Sequence, residues 1–248
     1  MNAIYILWLR QLKRYWRSRG RVIGSLGQPL LFLLALGFGF GPVFRRAGQG
    51  DYLQFLAPGV IGMTILFAAI FSGIELIWDR QFGFMKEILV APVPRLTIMI
   101  GRTLGGATTA FIQGLIVFVI CLLAGFRIAH PAQIPLAILF MVLISLMFTA
   151  FGTAIASVMS DFQGFQLVMN FLVMPIFFLS GALFPLVGLP KLLNFLATID
   201  PLSYGVDGLR SAFAGATHFG LATDLTLLFV LSAIALVAGT YLFSRIQL

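Results

Sequence analysis

Charged residues divide the chain into six long stretches that contain none: 22–44, 52–74, 103–126, 128–160, 162–190 and 225–244, of 23, 23, 24, 33, 29 and 20 residues. A bilayer core takes roughly 20 apolar residues of α-helix, so each stretch predicts one membrane-spanning helix. Ten-residue alternation of the transmembrane β-barrel kind is absent. The expected fold is therefore an all-α membrane protein, a single transmembrane domain over 1–248. Its spans fall near 23–44, 55–77, 98–125, 134–158, 165–184 and 223–244.

Residues 3–21 carry a different pattern. Tyr5, Trp8, Leu12, Tyr15 and Trp16 fall on one helical face, and Arg10, Lys13, Arg14, Arg17 and Arg21 on the other. Aromatics opposite a basic stripe predict a helix lying in the membrane interface over 1–21. The basic segment is too long and too aromatic for the start of a cleavable signal, and no small-residue cleavage site follows, so the first span is expected to remain in the mature protein.

Run 162–190 is longer than one span. Pro175 and Ser180-Gly181 interrupt it, and two short apolar pieces, 191–199 and 202–215, follow around Asp200-Pro201. Neither piece can cross a bilayer, which predicts re-entrant or interfacial helices over 184–220. Asp200, Tyr204, Asp207 and Arg210 lie there as a candidate outer gate or a structural cap. Asp207 and Arg210 have the i, i+3 spacing of a helical ion pair.

Composition adds exclusions. Hydrophobic residues make up 60% of the chain and charged ones 10%, against about 25% charged in soluble domains. One cysteine, Cys121, allows neither an internal disulfide nor a thiolate metal cluster. Two histidines, His130 and His218, cannot build a histidine-rich site, so no metal site is expected. No lysine follows a glycine, so the phosphate-cradling loop is absent. No cofactor is expected in this chain, and any nucleotide hydrolysis must come from another.

The net charge of +8 is mostly topology. With the N-terminus in the cytoplasm, the inside segments hold Arg10, Lys13, Arg14, Arg17, Arg19, Arg21, Arg80, Lys86, Arg95, Arg102 and Arg245. The outside segments hold Arg45, Arg46, Arg127, Lys191 and Arg210. That is 11 against 5 of the 16 basic residues, and places both termini in the cytoplasm. Nucleic acid is not an expected partner.

Seven of the 24 charged groups fall in the first inside loop, 75–102. There, 81–90 can form two helical turns before Ala91-Pro92-Val93-Pro94 stops them. Phe82, Gly83, Phe84, Lys86, Glu87 and Leu89 suit a socket on a cytoplasmic protein, although an ordinary connector has the same length. Asp161 and Gln163, in the short second inside loop, could form a smaller contact or simply a tight turn. Glu75 and Arg102 sit at membrane depth, where charges are costly and usually paired. They could pair with each other, Glu75 could pair with Arg80, or both could reach to the interface. Among 26 phenylalanines, Phe67 and Phe71 share a face of span two, and Phe171, Phe178 and Met174 a face of span five. They are candidates for an apolar cargo path, with a lipid-facing role as the alternative for each. Pro175 would let span five bend.

Three stretches together resemble the permease subunits of type-2 ABC exporters, over nearly the whole chain. They are the amphipathic helix running into span one, Glu87–Arg95 (Glu-Ile-Leu-Val-Ala-Pro-Val-Pro-Arg), and Leu179–Pro185 (Leu-Ser-Gly-Ala-Leu-Phe-Pro) followed by Asp200–Tyr204 and Asp207–Arg210. Asp200 stands where the family more often has Asn. The resemblance implies a homodimer or heterodimer of permeases in the cytoplasmic (inner) membrane, with two ABC ATPase subunits that carry ATP and Mg. Residues 81–90 would be the coupling helix. The drug-resistance type fits best, with lipo-oligosaccharide and polysaccharide exporters as alternatives. A secondary transporter or channel would place ionisable groups mid-membrane, and the run centres hold none. An intramembrane hydrolase would need histidine inside a span.

If this topology holds, a cysteine at Gly48 is labelled by an impermeant thiol reagent from outside and one at Gln81 is not; the reverse pattern contradicts it.

Overall fold

The computed structural model describes residues 3–46 (Arg21 in its backbone only), 50–83, 93–159 and 161–244. Among these every regular element is helical. An N-terminal helix, α1 (Ala3–Arg17), leads into α2 (Arg19–Arg46). Helix α3 (Tyr52–Phe71) is capped by Asp51, whose side chain accepts from the Leu53 N–H at 3.1 Å. It continues past Ser72-Gly73 as α4 (Ile74–Gln81). Helix α5 (Arg95–Leu123) begins after Pro94, and α6 (Ile134–Val158) follows a single 3-10 turn.

Span five is broken into three. Asp161 caps α7 (Phe162–Val168), a π-helical turn occupies Met169–Val173, and α8 (Met174–Leu179) follows. The expected bend at Pro175 takes this form. Proline offers no N–H and its ring crowds the carbonyl four residues back. The chain widens one turn, and the Met174 N–H reaches the Met169 carbonyl instead. The span closes at Leu179 rather than near 184, because Gly181 turns the backbone to a φ of +71°. Two short helices, α9 (Lys191–Ile199) and α10 (Pro201–Ala214), meet at Asp200-Pro201 before the last helix, α11 (Leu221–Ser244).

Among the described residues, six helical segments are long and apolar enough to cross a membrane. The second, Tyr52–Gln81, lies at the centre, and α5, α6 and α10 pack around it. Helix α10 is sheltered along nearly its whole length by α3, α6 and α11, whereas α9 buries only Ala197. Helix α2 is the least covered, with Leu31, Leu34, Phe38 and Val43 on its open face.

Close crossings depend on glycine. A Cβ on Gly59 would lie 2.2 Å from the Ala182 carbonyl oxygen, and one on Gly152 would lie 2.7 Å from the Ile70 Cα. Gly101 and Gly105 have the spacing of a contact between subunits. In the structure they receive α1 instead, with Cβ positions 2.9 Å from Leu7 Cβ and 2.6 Å from Gln11 Cβ. Gly37 and Gly41 have the same spacing; a Cβ on Gly37 would meet the Leu53 side chain at 3.6 Å, and one on Gly41 nothing within 4 Å.

Gly59→Ala is therefore expected to destabilise the purified protein by about 1–3 kcal/mol. Gly27→Ala, at a position with nothing within 4 Å, serves as control. Thermal unfolding in detergent reads both, and equal effects would refute the packing role.

Candidate functional site: a cavity between the N-terminal helix and the first spans

Helix α1 lies across the ends of α4 and α5, and charge holds it there. Arg102 of α5 and Asp79 of α4 are each 5% exposed, and the guanidinium donates directly to the carboxylate. From α1, Arg10 donates to the same carboxylate at 3.0 Å. Arg14 lies 3.5 Å from Asp79 and 3.7 Å from Glu75. Where the sequence left several arrangements open, the structure sets Arg102 on Asp79 and joins Glu75 to the same cluster, which draws in α1 through Arg14. Arg80 turns elsewhere, donating to the carbonyls of Met159 at 2.8 Å and Ser157 at 2.9 Å. Trp8 fixes the other side of α1 by donating its indole N–H to the Thr108 hydroxyl at 3.0 Å. The aromatic face of α1 is divided: Tyr15 is buried, while Tyr5 and Trp16 are exposed.

Behind this cluster lies a cavity of about 490 Å³. Phe67, Phe71 and Met63 of α3, Pro29 of α2 and Trp78 of α4 supply its apolar wall. The Phe67 and Phe71 rings are 6.5 Å apart and stacked. The hydroxyls on the wall are satisfied by their own helices: Ser25 donates to Val22 at 2.8 Å, Thr64 to Val60 at 2.7 Å, and Thr109 to Gly106 at 2.8 Å. Besides Glu75, which Arg14 faces, three amides from three helices remain: Gln11, Gln28 and Gln113. Gln113 meets the Tyr15 hydroxyl, while Gln11 and Gln28 have no protein partner among the described residues. An apolar chamber with a few convergent amides can hold an amphiphile by its tail and orient a hydrogen-bonding head.

The opposite end of the bundle is built around α10. Asp200 caps it, its Oδ1 accepting from the Leu202 N–H at 2.9 Å, and burial pushes this carboxyl up to about 7. The Tyr204 hydroxyl donates to the Thr198 carbonyl at 2.6 Å. Asp207 and Arg210 do not form the expected ion pair. Asp207 accepts from Thr217 and from the backbone of His218 and Phe219, tying down the 217–219 loop. Arg210 donates to the Gly181 carbonyl at 3.0 Å and lies 4.1 Å over the Phe55 ring. Arg210 thus ties the hairpin to spans two and five, Asp200 and Tyr204 join α9 to α10, and Asp207 holds the loop that follows.

The sequence matches the ABC-2 type transporter family over residues 2–214. The chain belongs to that family. Among its relatives, the ycf38 protein of Cyanophora paradoxa, named as a transport permease, is 27% identical over 86% of this chain and 75% of its own. The inner membrane transport permease YadH of Escherichia coli is 26% identical over 92% and 89%. Nodulation protein J of Rhizobium leguminosarum bv. viciae is 24% identical over 90% and 86%. The chain is thus a multi-pass permease subunit of the type-2 ABC class.

In this permease, Phe67 and Phe71 line the cavity, but the span-five candidates do not join them. Phe171 is 80% exposed, Phe178 is exposed and Met174 half-buried, and none borders the cavity. Phe82 is 82% exposed at the end of α4, where Gly83 turns the chain with a φ of +78°. Phe84, Lys86, Glu87 and Leu89 lie outside the described residues. Asp161 accepts from the Gly164 N–H at 2.6 Å and caps α7, and Gln163 is exposed beside it. The three glutamines were missed by reasoning centred on charge. For Gln28 and Gln113 the signal was an uncharged amide inside an apolar run; Gln11, among the basic residues of the N-terminal helix, carried none.

Asp79→Ala leaves Arg102 buried without its hydrogen-bonded carboxylate, and is expected to cost about 3 kcal/mol or more. Arg10→Ala, at a position a third exposed, should cost about 1 kcal/mol or less. Thermal unfolding of the two purified variants separates these outcomes. Asp200 keeps its proton in the fold up to about 7, whereas an unfolded Asp loses it near about 3.9. Its contribution to stability is therefore present at low pH and lost as pH rises through that window. Asp200→Asn keeps the cap and should flatten this part of the pH–stability curve; an unchanged slope would contradict the assignment.

Proposed function

We propose that this permease exports a hydrophobic or amphipathic cargo, drug-like or lipid-like, out across the cytoplasmic membrane, powered by two separate ABC ATPase subunits that bind ATP and Mg. The observation that carries this reading is the cavity itself. It lies within the spans at the α1 end, walled by Phe67, Phe71 and Trp78 and edged by amides. The excess of basic residues puts that end, and both termini, in the cytoplasm. Exposed Phe82 and the adjoining 84–90 segment then form the coupling contact, with Asp161 and Gln163 close to the same surface. The amides favour a cargo whose head forms hydrogen bonds, which suits a lipo-oligosaccharide exporter as well as a drug exporter. The name of the Escherichia coli relative supports the inner membrane.

A second permease copy, identical or paralogous, completes the path. The open apolar faces of α2 and of span five support this, because Phe38 and Phe171 are left exposed within one subunit. On this arrangement Phe171, Met174 and Phe178 reach the path from the neighbouring subunit, and 184–220 forms a re-entrant outer gate.

The test uses the permease reconstituted with its ATPase. Phe71→Ala and Gln113→Leu should shift the apparent affinity for some hydrophobic compounds and not others, by about tenfold for the best-fitting cargo. Phe82→Asp should keep membrane insertion and abolish cargo-stimulated ATP hydrolysis. Unchanged selectivity in both cavity variants would refute the cargo site, and full stimulation in Phe82→Asp would refute the coupling contact.

A further inference from the structure

A second opening lies beside α1, as an open groove of about 930 Å³ between that helix and the end of α4. Its α1 wall is one stripe: Ile6, Leu9, Arg10, Lys13, Arg14 and Arg17 recur at the three- and four-residue spacing of a single helical face. Trp78, Asp79 and Phe82 form the facing wall. A different face of α1 seats on α5, where Leu7 and Gln11 meet Gly101 and Gly105. Among the described residues Trp78 alone borders both this groove and the cavity described above, so the two are separate spaces.

Charge here is unbalanced. The guanidiniums of Arg10, Arg14 and Arg102 converge on two carboxylates, Asp79 and Glu75. Lys13 and Arg17, on the same stripe, are exposed and meet no carboxylate among the described residues. Five basic side chains thus face two acidic ones, an excess of three positive charges. A phosphate suits this set, because guanidinium forks and an ammonium bind its oxygens by charge-assisted hydrogen bonds. Arg14 lies 5.9 Å over the Trp78 ring, which keeps its guanidinium at the groove wall. Ile6 and Phe82, 46% and 82% exposed, add apolar surface that a lipid covers and a free phosphate does not. An acidic peptide would answer the charge but not the depth, since α1 leads at Arg19 straight into span one. On the orientation proposed above, the groove lies at the headgroup level of the cytoplasmic leaflet, where basic clusters on amphipathic helices attract anionic lipid.

We propose that this groove binds the phosphate headgroup of an anionic phospholipid of that leaflet. Lys13 and Arg17 are its main ligands, Arg14 is shared with Glu75, and the acyl chains lie along Ile6, Leu9 and Phe82. The bound headgroup offsets the excess positive charge and braces α1 against the end of α4, beside the ion cluster that already holds it. The lipid is thus a structural ligand of the permease, distinct from any exported cargo, and the docking of α1 depends on the anionic content of the membrane.

The test titrates the purified permease in detergent with phosphatidylglycerol, phosphatidylcholine or inorganic phosphate, and reads bound lipid by native mass spectrometry. Phosphatidylglycerol should bind about tenfold or more tightly than phosphatidylcholine and resist displacement by inorganic phosphate. K13Q/R17Q, which leaves the Asp79 cluster intact, should weaken phosphatidylglycerol by about thirtyfold. R45Q/R46Q removes the same charge at the exposed far end of α2 and should leave binding unchanged. Should K13Q/R17Q fail to fold, R17Q alone replaces it, with a loss of about fivefold. Equal binding of the two lipids, displacement by inorganic phosphate, or an equal loss in R45Q/R46Q overturns the proposal. So does a K13Q/R17Q permease that keeps phosphatidylglycerol but no longer assembles with its ATPase, which would make the groove a protein contact.

Discussion

A guanidinium inside a membrane protein must be answered by a carboxylate, and Arg102 is answered by Asp79. Two buried charges of opposite sign lose hydration that only close geometry and further hydrogen bonds restore. Here the further bonds come from another element. Arg10 and Arg14 reach the same carboxylate from α1, so neutralising the pair requires the N-terminal helix to lie across α4 and α5. The glycines at 101 and 105 let it approach closely enough.

The cavity follows from that docking. Helix α1 contributes Gln11 and Tyr15 to its wall, and α2, leaving α1 at Arg19, supplies the side that faces Phe67 and Phe71. A helix that only floated in the interface would leave the space between spans one and two open. Fixing α1 by charge encloses an apolar chamber beside the ion cluster and near exposed Phe82. The apolar chamber, the charge cluster and exposed Phe82 therefore share one end of one subunit, and a displacement at Phe82 has a short path through α4 to Asp79.

The spans were legible because the bilayer imposes a length and an apolar composition that the sequence must display. The N-terminal segment was legible as a helix, through the spacing of its aromatic and basic positions, but not as a helix docked on α4 and α5 through Arg10 and Arg14. Partnerships were harder to read. Asp79 sits in a loop-like stretch of mixed charge, and nothing local in sequence shows that it belongs to Arg102, 23 positions on. Gly101 and Gly105 announce close approach but not which helix approaches. Asp207 and Arg210 have pairing distance by spacing, yet loop amides and a distant carbonyl compete for them more effectively. The π turn before Pro175 depends on how α7 and α8 are anchored, which the proline alone does not reveal.

The central claim, that the Asp79 cluster holds α1 on α5, can be read directly by oxidative cross-linking of Leu7→Cys with Gly101→Cys in native membranes. Their Cβ positions lie 2.9 Å apart with glycine at 101, so small adjustment brings the sulfurs into bonding range. The account predicts a rapid, near-complete disulfide in the otherwise unaltered chain, and a strong loss of it when Asp79 is replaced by Ala. A cross-link that forms equally well without Asp79, or that never forms, would contradict it.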